Sequence, residues 1–304
     1  MINWRLVVGI TLVSAFFIVA IFGPLFAPYE KDFVEPSGYY YNNPDDFGMY
    51  ASPYPPSKAH IFGTDEWGYD ILTLLLYGAK YTIFIGVITA VLRMIIGGFL
   101  GMITGLQKKK RRTDNVFGLL GSIPAFIIVY FTMTGIIVNS PLSTGTLIMI
   151  QTTVMVLVGI PGVYAAVYSK TTALKQHLYI TASSALGAGS IRIAIKHLLP
   201  HLQGTFMVML LKEIILVLSL MGQLGIFNIF IGGTILRLGG PPVYVSITRD
   251  WAGLIGQWRS FIFDYQWILF YPLLAFVLLI FAFYMLLRGI ELNQKGAFHK
   301  YPHI

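Results

Sequence analysis

The chain has 304 residues, of which 56% are hydrophobic and only 11% are charged. A soluble domain carries roughly a quarter charged residues, so this composition excludes a single soluble core and predicts a polytopic membrane protein. The net charge of +8 does not indicate nucleic-acid binding, because the basic residues lie beside apolar runs rather than among stacking aromatic side chains. The absence of cysteine excludes disulfides, thiolate metal sites and cysteine nucleophiles.

The first apolar run predicts a retained transmembrane helix. It covers residues 6–26 after a single Arg5, which is too long for a signal-peptide core, and no small-x-small cleavage site ends it. Residues 1–26 are therefore interpreted as an N-terminal end followed by the first span.

A polar segment, 27–80, follows and is predicted to lie outside the cell. It is rich in Tyr, Pro and Asn and holds most of the acidic residues of the chain. Near its end the motif consists of Gly63, Thr64, Asp65, Gly68 and Asp70. Taken by itself, this motif is typical of a turn-rich loop in which the two aspartates cap short helices.

Three further apolar runs, 81–106, 116–138 and 146–168, predict the second to fourth spans. The second is followed by five consecutive cations, 108–112, which mark the cytoplasmic side. A basic run could also bind nucleic acid or anionic lipid. In so short a loop, the simpler role is to set the orientation of the chain in the membrane, with lipid contact as a by-product. Pro124 predicts a kink that faces other parts of the protein.

The next segment, 170–202, is polar and basic and predicts two short helices in a cytoplasmic loop. Gly187 can end the first helix in a left-handed conformation, Ser190 can cap the second, and Pro200 is expected to stop it. One face of the second helix is predicted to carry Ile191, Ile195 and Leu198, and another face Arg192 and Lys196. By itself this loop either docks a partner or merely connects two spans.

The fifth and sixth spans are predicted at 203–224 and 266–288, separated by an extracytoplasmic segment, 225–265. Within that segment the apolar run 226–236 is too short to cross a bilayer and is expected to pack at the outer mouth. Six spans with both termini in the cytoplasm place most of the Lys and Arg residues inside. Residues 81–304 are thus interpreted as a core of five transmembrane helices.

Three charges lie well inside predicted spans: Arg93, Lys212 and Glu213. Each costs about 2.5–3.5 kcal/mol to insert at mid-membrane, so they need partners or water. Lys212 and Glu213 are adjacent and do not face each other on a helix. We expect Arg93 and Glu213 to pair near mid-membrane; the alternative is a pathway lining that meets charged substrate.

No catalytic constellation is visible. The chain contains no Gly-Lys dipeptide, and therefore no phosphate-binding loop, so it is not expected to be an enzyme. His197 and His201 are four residues apart, but Pro200 interrupts their helix and no Glu lies between them. They are interpreted as interfacial residues, and no metal site is expected.

Taken together, the motifs resemble the C-type permease subunits of ABC importers in the oligopeptide/dipeptide/nickel family. In the cytoplasmic loop the matching residues are Tyr179, Ala182, Ala185, Leu186, Gly187, Ala188, Leu199 and Pro200. The outer motif matches the family's Gly-Thr-Asp-x-x-Gly-Arg-Asp signature. The chain departs from the family at Thr181, where a glutamate is usual, and at Tyr69 and Leu74, where arginines are usual.

The resemblance implies an all-α membrane protein with the type I ABC importer permease fold, cytoplasmic termini and cytoplasmic coupling helices. It implies half of a pathway for small peptides, or for chelated nickel or another metal, in the cell membrane. The implied partners are a homologous permease, two ATP-binding subunits, an extracytoplasmic substrate-binding protein and membrane lipid, but no nucleic acid. ATP and Mg would be bound by the partner subunits, and no cofactor by this chain.

A rival interpretation is an ion-coupled secondary transporter, in which Arg93 and Glu213 would be the coupling residues. A membrane enzyme is disfavoured because no catalytic site is visible.

Overall fold

Long apolar helices make up most of the computed structural model, which describes residues 3–43, 46–107, 123–176, 180, 183, 186–238 and 242–300; the side chains of 40–47, 197, 201 and 295–300 are not described. In chain order the helices are α1 (Trp4–Phe26), α2 (Ile71–Leu106), α3 (Ala125–Ile137), α4 (Thr144–Leu174), α5 (Ser190–Ile193), α6 (Leu199–Ile226), α7 (Trp251–Trp258) and α8 (Gln266–Lys300).

Within these described ranges, 5 helical stretches are long and apolar enough to cross a membrane. They are α1, α2, α4, residues Leu202–Ile226 of α6 and Gln266–Gln294 of α8. The predicted third span is described only from residue 123 onward, where the shorter apolar helix α3 lies. Pro124 immediately precedes α3 rather than kinking a described helix, whereas Pro161 lies inside α4 and is buried.

The second span begins earlier than predicted. Its helix starts at Ile71 rather than at residue 81, because Asp70 caps it by accepting a 2.7 Å hydrogen bond from the Thr73 N–H. Ile71 and Ala79, both in the part missed by the prediction, are completely buried. Apolar packing therefore extends α2 beyond the stretch that hydropathy alone selects.

Helix α2 lies at the centre of the bundle and packs against α1, α4 and α6, while α1 also packs along α8. The contact between α1 and α8 requires glycine on both sides. A Cβ atom on Gly9 would overlap the backbone of Leu286, and one on Gly289 would overlap Leu6. Small residues at a helix interface allow such close approach in a membrane.

The protein is mostly helical, as predicted, but the segments predicted to lie outside also contain two short antiparallel hairpins, which were not predicted from the sequence. Strands β1 (Gly38–Asn43) and β2 (Asp46–Tyr50) form one antiparallel hairpin, and β3 (Thr234–Arg237) and β4 (Val243–Ser246) form another. The apolar run after the fifth span supplies buried Ile229, Phe230 and Ile231 before entering β3. These segments are too short to span a membrane and satisfy backbone groups by pairing instead.

Candidate functional site

The cytoplasmic loop predicted to dock a partner is described in part. Tyr179, Ala182 and Ala185 lie outside the described residues. Leu186 is 89% exposed, and Gly187 has φ +83°, as its predicted left-handed conformation requires. The Leu186 side chain therefore makes little contact within the described part of the chain.

The second helix of this loop differs from the prediction in three respects. Gly189, not Ser190, precedes α5, and no side-chain cap is made. Leu198 is buried rather than aligned with Ile191. Pro200 does not stop the helix, because α5 continues through a π-helical turn, Ala194–Leu198, into the first turn of α6. Proline is tolerated there because it is one of the first two residues of α6, where its fixed φ suits the helix.

The π-helical turn divides the side chains of this stretch into two faces. The inner face packs into a cluster that joins α2, α4 and α6, formed by Met102, Leu106, Val163, Val167, Ile180, Ile193, Ala194, Leu198 and Leu202. The outer face exposes apolar side chains, namely Ile191, Ile195 and Leu199, next to the exposed cations Arg192 and Lys196. The inner face of this stretch therefore packs against three long helices.

The three intramembrane charges do not form one cluster. The structure brings Arg93 of α2 and Glu213 of α6 together, with 3.3 Å between Nη1 and Oε2. Their side chains are 4% and 15% exposed. Lys212 points elsewhere: its Nζ lies 3.3 Å from Oε1 of Glu291 in α8. Adjacent residues on one helix thus reach two different neighbours.

Arg93 is also bonded to α4. Its Nε and Nη2 both donate to the Met155 carbonyl oxygen, at 3.0 and 2.7 Å. The guanidinium group occupies the space beside Gly159, where a Cβ atom would overlap it. One cation therefore ties together α2, α4 and α6, and this geometry favours an ion pair between helices over a freely hydrated pathway group.

The outer motif connects the polar segment to helices α2 and α8. Gly63 and Gly68 both have positive φ, +77° and +88°. Thr64 exchanges hydrogen bonds with Tyr54 and accepts one from the Trp267 indole N–H of α8. The motif thus contacts both the loop and the helix bundle.

The two aspartates of the motif have different roles. Asp70 caps α2, as predicted, and its other oxygen lies 3.0 Å from His60 Nδ1. Asp65 caps no helix; its Oδ1 accepts from the N–H groups of Trp67 and Tyr69 within the turn. Burial raises the pKa of Asp65 to about 7, against the lowering effect of these backbone N–H groups and of Arg249.

Arg249, in the segment before α7, contacts both the motif and the polar segment, although the sequence lacks the arginines usual in the family. The Arg249 guanidinium lies over the Tyr69 ring at 4.3 Å and 3.6 Å from Oδ1 of Asp32. In this contact the arginine belongs to the segment before α7, and the motif contributes Tyr69. No motif spacing in the sequence relates Arg249 to Tyr69, so this contact was missed.

Comparison with known proteins identifies the relatives of the chain, although no family model matches it. It is 28% identical to the oligopeptide transport system permease protein OppC of Bacillus subtilis over 294 residues, covering 95% of this chain and 84% of the relative. It is also 28% identical to the dipeptide transport system permease protein DppC of the same organism, covering 93% and 79%. A DppC protein of Alkalihalophilus pseudofirmus is 25% identical over 95% and 84% of the two chains.

These similarities extend over nearly the whole chain and include its apolar helices. The resemblance inferred from the motifs is therefore confirmed: the chain is a multi-pass protein of the cell membrane, related to the C-type permease subunits of ABC peptide transport systems.

Proposed function

We propose that this chain forms half of the translocation pathway of an ATP-driven importer of small peptides. The observation that carries the proposal is the similarity to peptide permeases along almost the full length of the chain. The relatives described above are named for oligopeptides or dipeptides, which favours peptides over chelated nickel or another metal as cargo. The absence of a phosphate-binding loop from the sequence fits a subunit that depends on ATPases elsewhere.

The proposed assembly contains a second, homologous permease, two ATP-binding subunits and an extracytoplasmic binding protein, all in or at a lipid membrane. The ATP-binding subunits would dock on the cytoplasmic loop, where Leu186, Ile191 and Ile195 are exposed. ATP and Mg are assigned to those subunits. Closure of the ATPases would displace this loop, and the buried cluster beneath it would move α2, α4 and α6 as near-rigid bodies.

The ATP-binding partner can be tested by purification. The chain alone is expected to show no ATP hydrolysis, and it should co-purify with an ATPase when expressed in its native membrane. Transport measured in vesicles should require ATP on the cytoplasmic side. If transport instead follows an ion gradient with no nucleotide present, the ABC proposal fails and an ion-coupled secondary transporter replaces it.

The proposed topology has six spans with both termini in the cytoplasm and the segment 27–70 outside. The chain contains no cysteine, so single cysteines can be introduced without removing any. Ser57 is exposed in the segment predicted to lie outside. Ala173 is exposed near the C-terminal end of α4, which is predicted to lie in the cytoplasm. An impermeant thiol reagent should label Ser57→Cys in intact cells and Ala173→Cys only after the membrane is opened. The reverse pattern would overturn the orientation of the whole chain.

A further inference from the structure

A cavity of about 460 Å³ opens among the outer segments of the protein. Its lining includes Glu66, Trp67, Asn228, Tyr244, Gln257 and Arg259. These residues come from the outer motif, the end of α6, β4 and the region of α7. The volume is within the range of roughly 300–1,000 Å³ that small-molecule sites occupy.

Glu66 gives this cavity an acidic group without a partner. Both carboxyl oxygens of Glu66 are buried, and neither has a hydrogen-bond partner among the described residues. The indole Nε1 of Trp258 is close enough to lower the pKa of Glu66, but it is buried and makes no hydrogen bond of good geometry to any described acceptor. A buried polar group left unpaired costs free energy, so such groups in native proteins usually meet a ligand, water or a strained functional arrangement.

The electrostatic surroundings of Glu66 are unfavourable to a bare carboxylate. Burial and, to a smaller degree, neighbouring Asp65 raise its pKa to about 8, against the lowering effect of its own backbone N–H, of the Trp258 indole and of Arg237. Without a counter-charge close by, this carboxyl group is therefore largely protonated near neutral pH. An incoming cation would supply the counter-charge that favours its ionised form.

Arg259 gives the cavity an exposed cation. Its Nη1 donates to Asn228 Oδ1 at 2.8 Å and to the Gly256 carbonyl oxygen. In the ranges that the structure covers, no carboxylate forms an ion pair with it. Arg259 is exposed, whereas the Glu66 oxygens are buried, so the cavity carries its acid inside and its base toward solvent.

We propose that this cavity binds both termini of a short peptide, with Glu66 receiving the ammonium group and Arg259 the carboxylate. A short peptide in its zwitterionic form carries an ammonium group that can pair with the Glu66 carboxylate and a carboxylate that can pair with the Arg259 guanidinium. The inference rests on the proposed peptide-import function and adds to it a substrate site on the permease itself, at the outer end of the pathway.

Binding to the full-length chain in lipid nanodiscs tests this site, with alanyl-alanine as the probe in titration calorimetry. N-acetyl-alanyl-alanine lacks the ammonium group and alanyl-alanine amide lacks the carboxylate. Each should bind the unmodified chain about ten-fold or more weakly than alanyl-alanine, because each lacks one of the two proposed charge interactions. Glu66→Gln should abolish the discrimination against acetylation only, and Arg259→Gln the discrimination against amidation only.

Asp264→Asn is the matched control, since Asp264 is an exposed acid in the same outer region and does not line the cavity. Arg259→Gln alters an exposed side chain, so its half of the test stands even if Glu66→Gln impairs folding. The inference is overturned if the unmodified chain does not bind alanyl-alanine, or if both variants discriminate as the unmodified chain does. Peptide uptake by cells carrying the whole transporter distinguishes failure of the site from failure of the proposed function. Uptake without binding in this cavity rejects only the site. Absence of any peptide uptake rejects the proposed function.

Discussion

Leu186→Asp is expected to abolish ATP-dependent peptide uptake while leaving the protein inserted and folded. Leu186 is 89% exposed, so an aspartate there removes no packing within the chain. A helix that docks in a groove depends on apolar anchors, and loss of a central anchor commonly costs ~2 kcal/mol or more, roughly a 30-fold loss of affinity. The ATPase subunit should therefore be lost on purification of the variant. Normal uptake and a retained ATPase would exclude Leu186 from the docking surface.

The turn next to Leu186 offers a matched comparison between two glycines. Gly187 has φ +83° and Gly189 has φ −68°, and a Cβ atom on either would meet no described residue within 4 Å. Gly187→Ala is strained by about 1–2 kcal/mol and Gly189→Ala is not. Gly187→Ala should weaken coupling, Gly187→Pro should abolish it, and Gly189→Ala should leave uptake unchanged. Equal effects at both glycines would show that the turn does not set the docking geometry.

The long helices could be predicted from the sequence because a span needs only local information, namely about twenty apolar residues in a row. The remaining errors in the predicted helix bounds and strands lie where contacts between distant parts of the chain determine the structure. Helix α2 starts at Ile71 because Asp70 caps it and Ala79 is buried against other helices. The two hairpins depend on strand pairing across a turn, and their short strands carry weak local signals.

The candidate sites, like the fold, could be predicted only where the local sequence was informative. The cost of a charge in a membrane was enough to single out Arg93 and Glu213 as partners. The bonds from Arg93 to the Met155 carbonyl depend on the register of three helices and on the space beside Gly159, which no periodicity encodes. Glu66 was only one of several acids in the outer segment, and its lack of a partner becomes visible only when the cavity is formed.

The largest effects on stability are expected at the ion pair between α2 and α6. Removing one member of a buried pair typically costs about 3–5 kcal/mol, because the other charge stays buried without compensation. Arg93→Gln and Glu213→Gln should therefore each lower the apparent melting temperature in detergent. The double variant should recover much of the loss, although not the part due to the bonds from Arg93 to Met155.

Lys212→Gln is the control for this pair. Lys212 is next to Glu213 in the sequence, but its side chain is 55% exposed and reaches Glu291 instead. Exposed ion pairs contribute about 0–1 kcal/mol, so this variant should melt close to the unmodified protein. Additive losses in the Arg93 and Glu213 variants would reject the pair and would leave both charges to a hydrated pathway.

Gly159 tests the same arrangement from α4 without changing any charge. A methyl group on Gly159 would overlap the Arg93 guanidinium, whereas one on Gly162 of the same helix would meet nothing within 4 Å. Gly159→Ala should lower the apparent melting temperature and Gly162→Ala should not. In a protein that already carries Arg93→Gln, Gly159→Ala should have little further effect, since the side chain it displaces is gone. A full additional loss in that background would mean that Gly159 contributes to stability through helix packing that does not involve the Arg93 side chain.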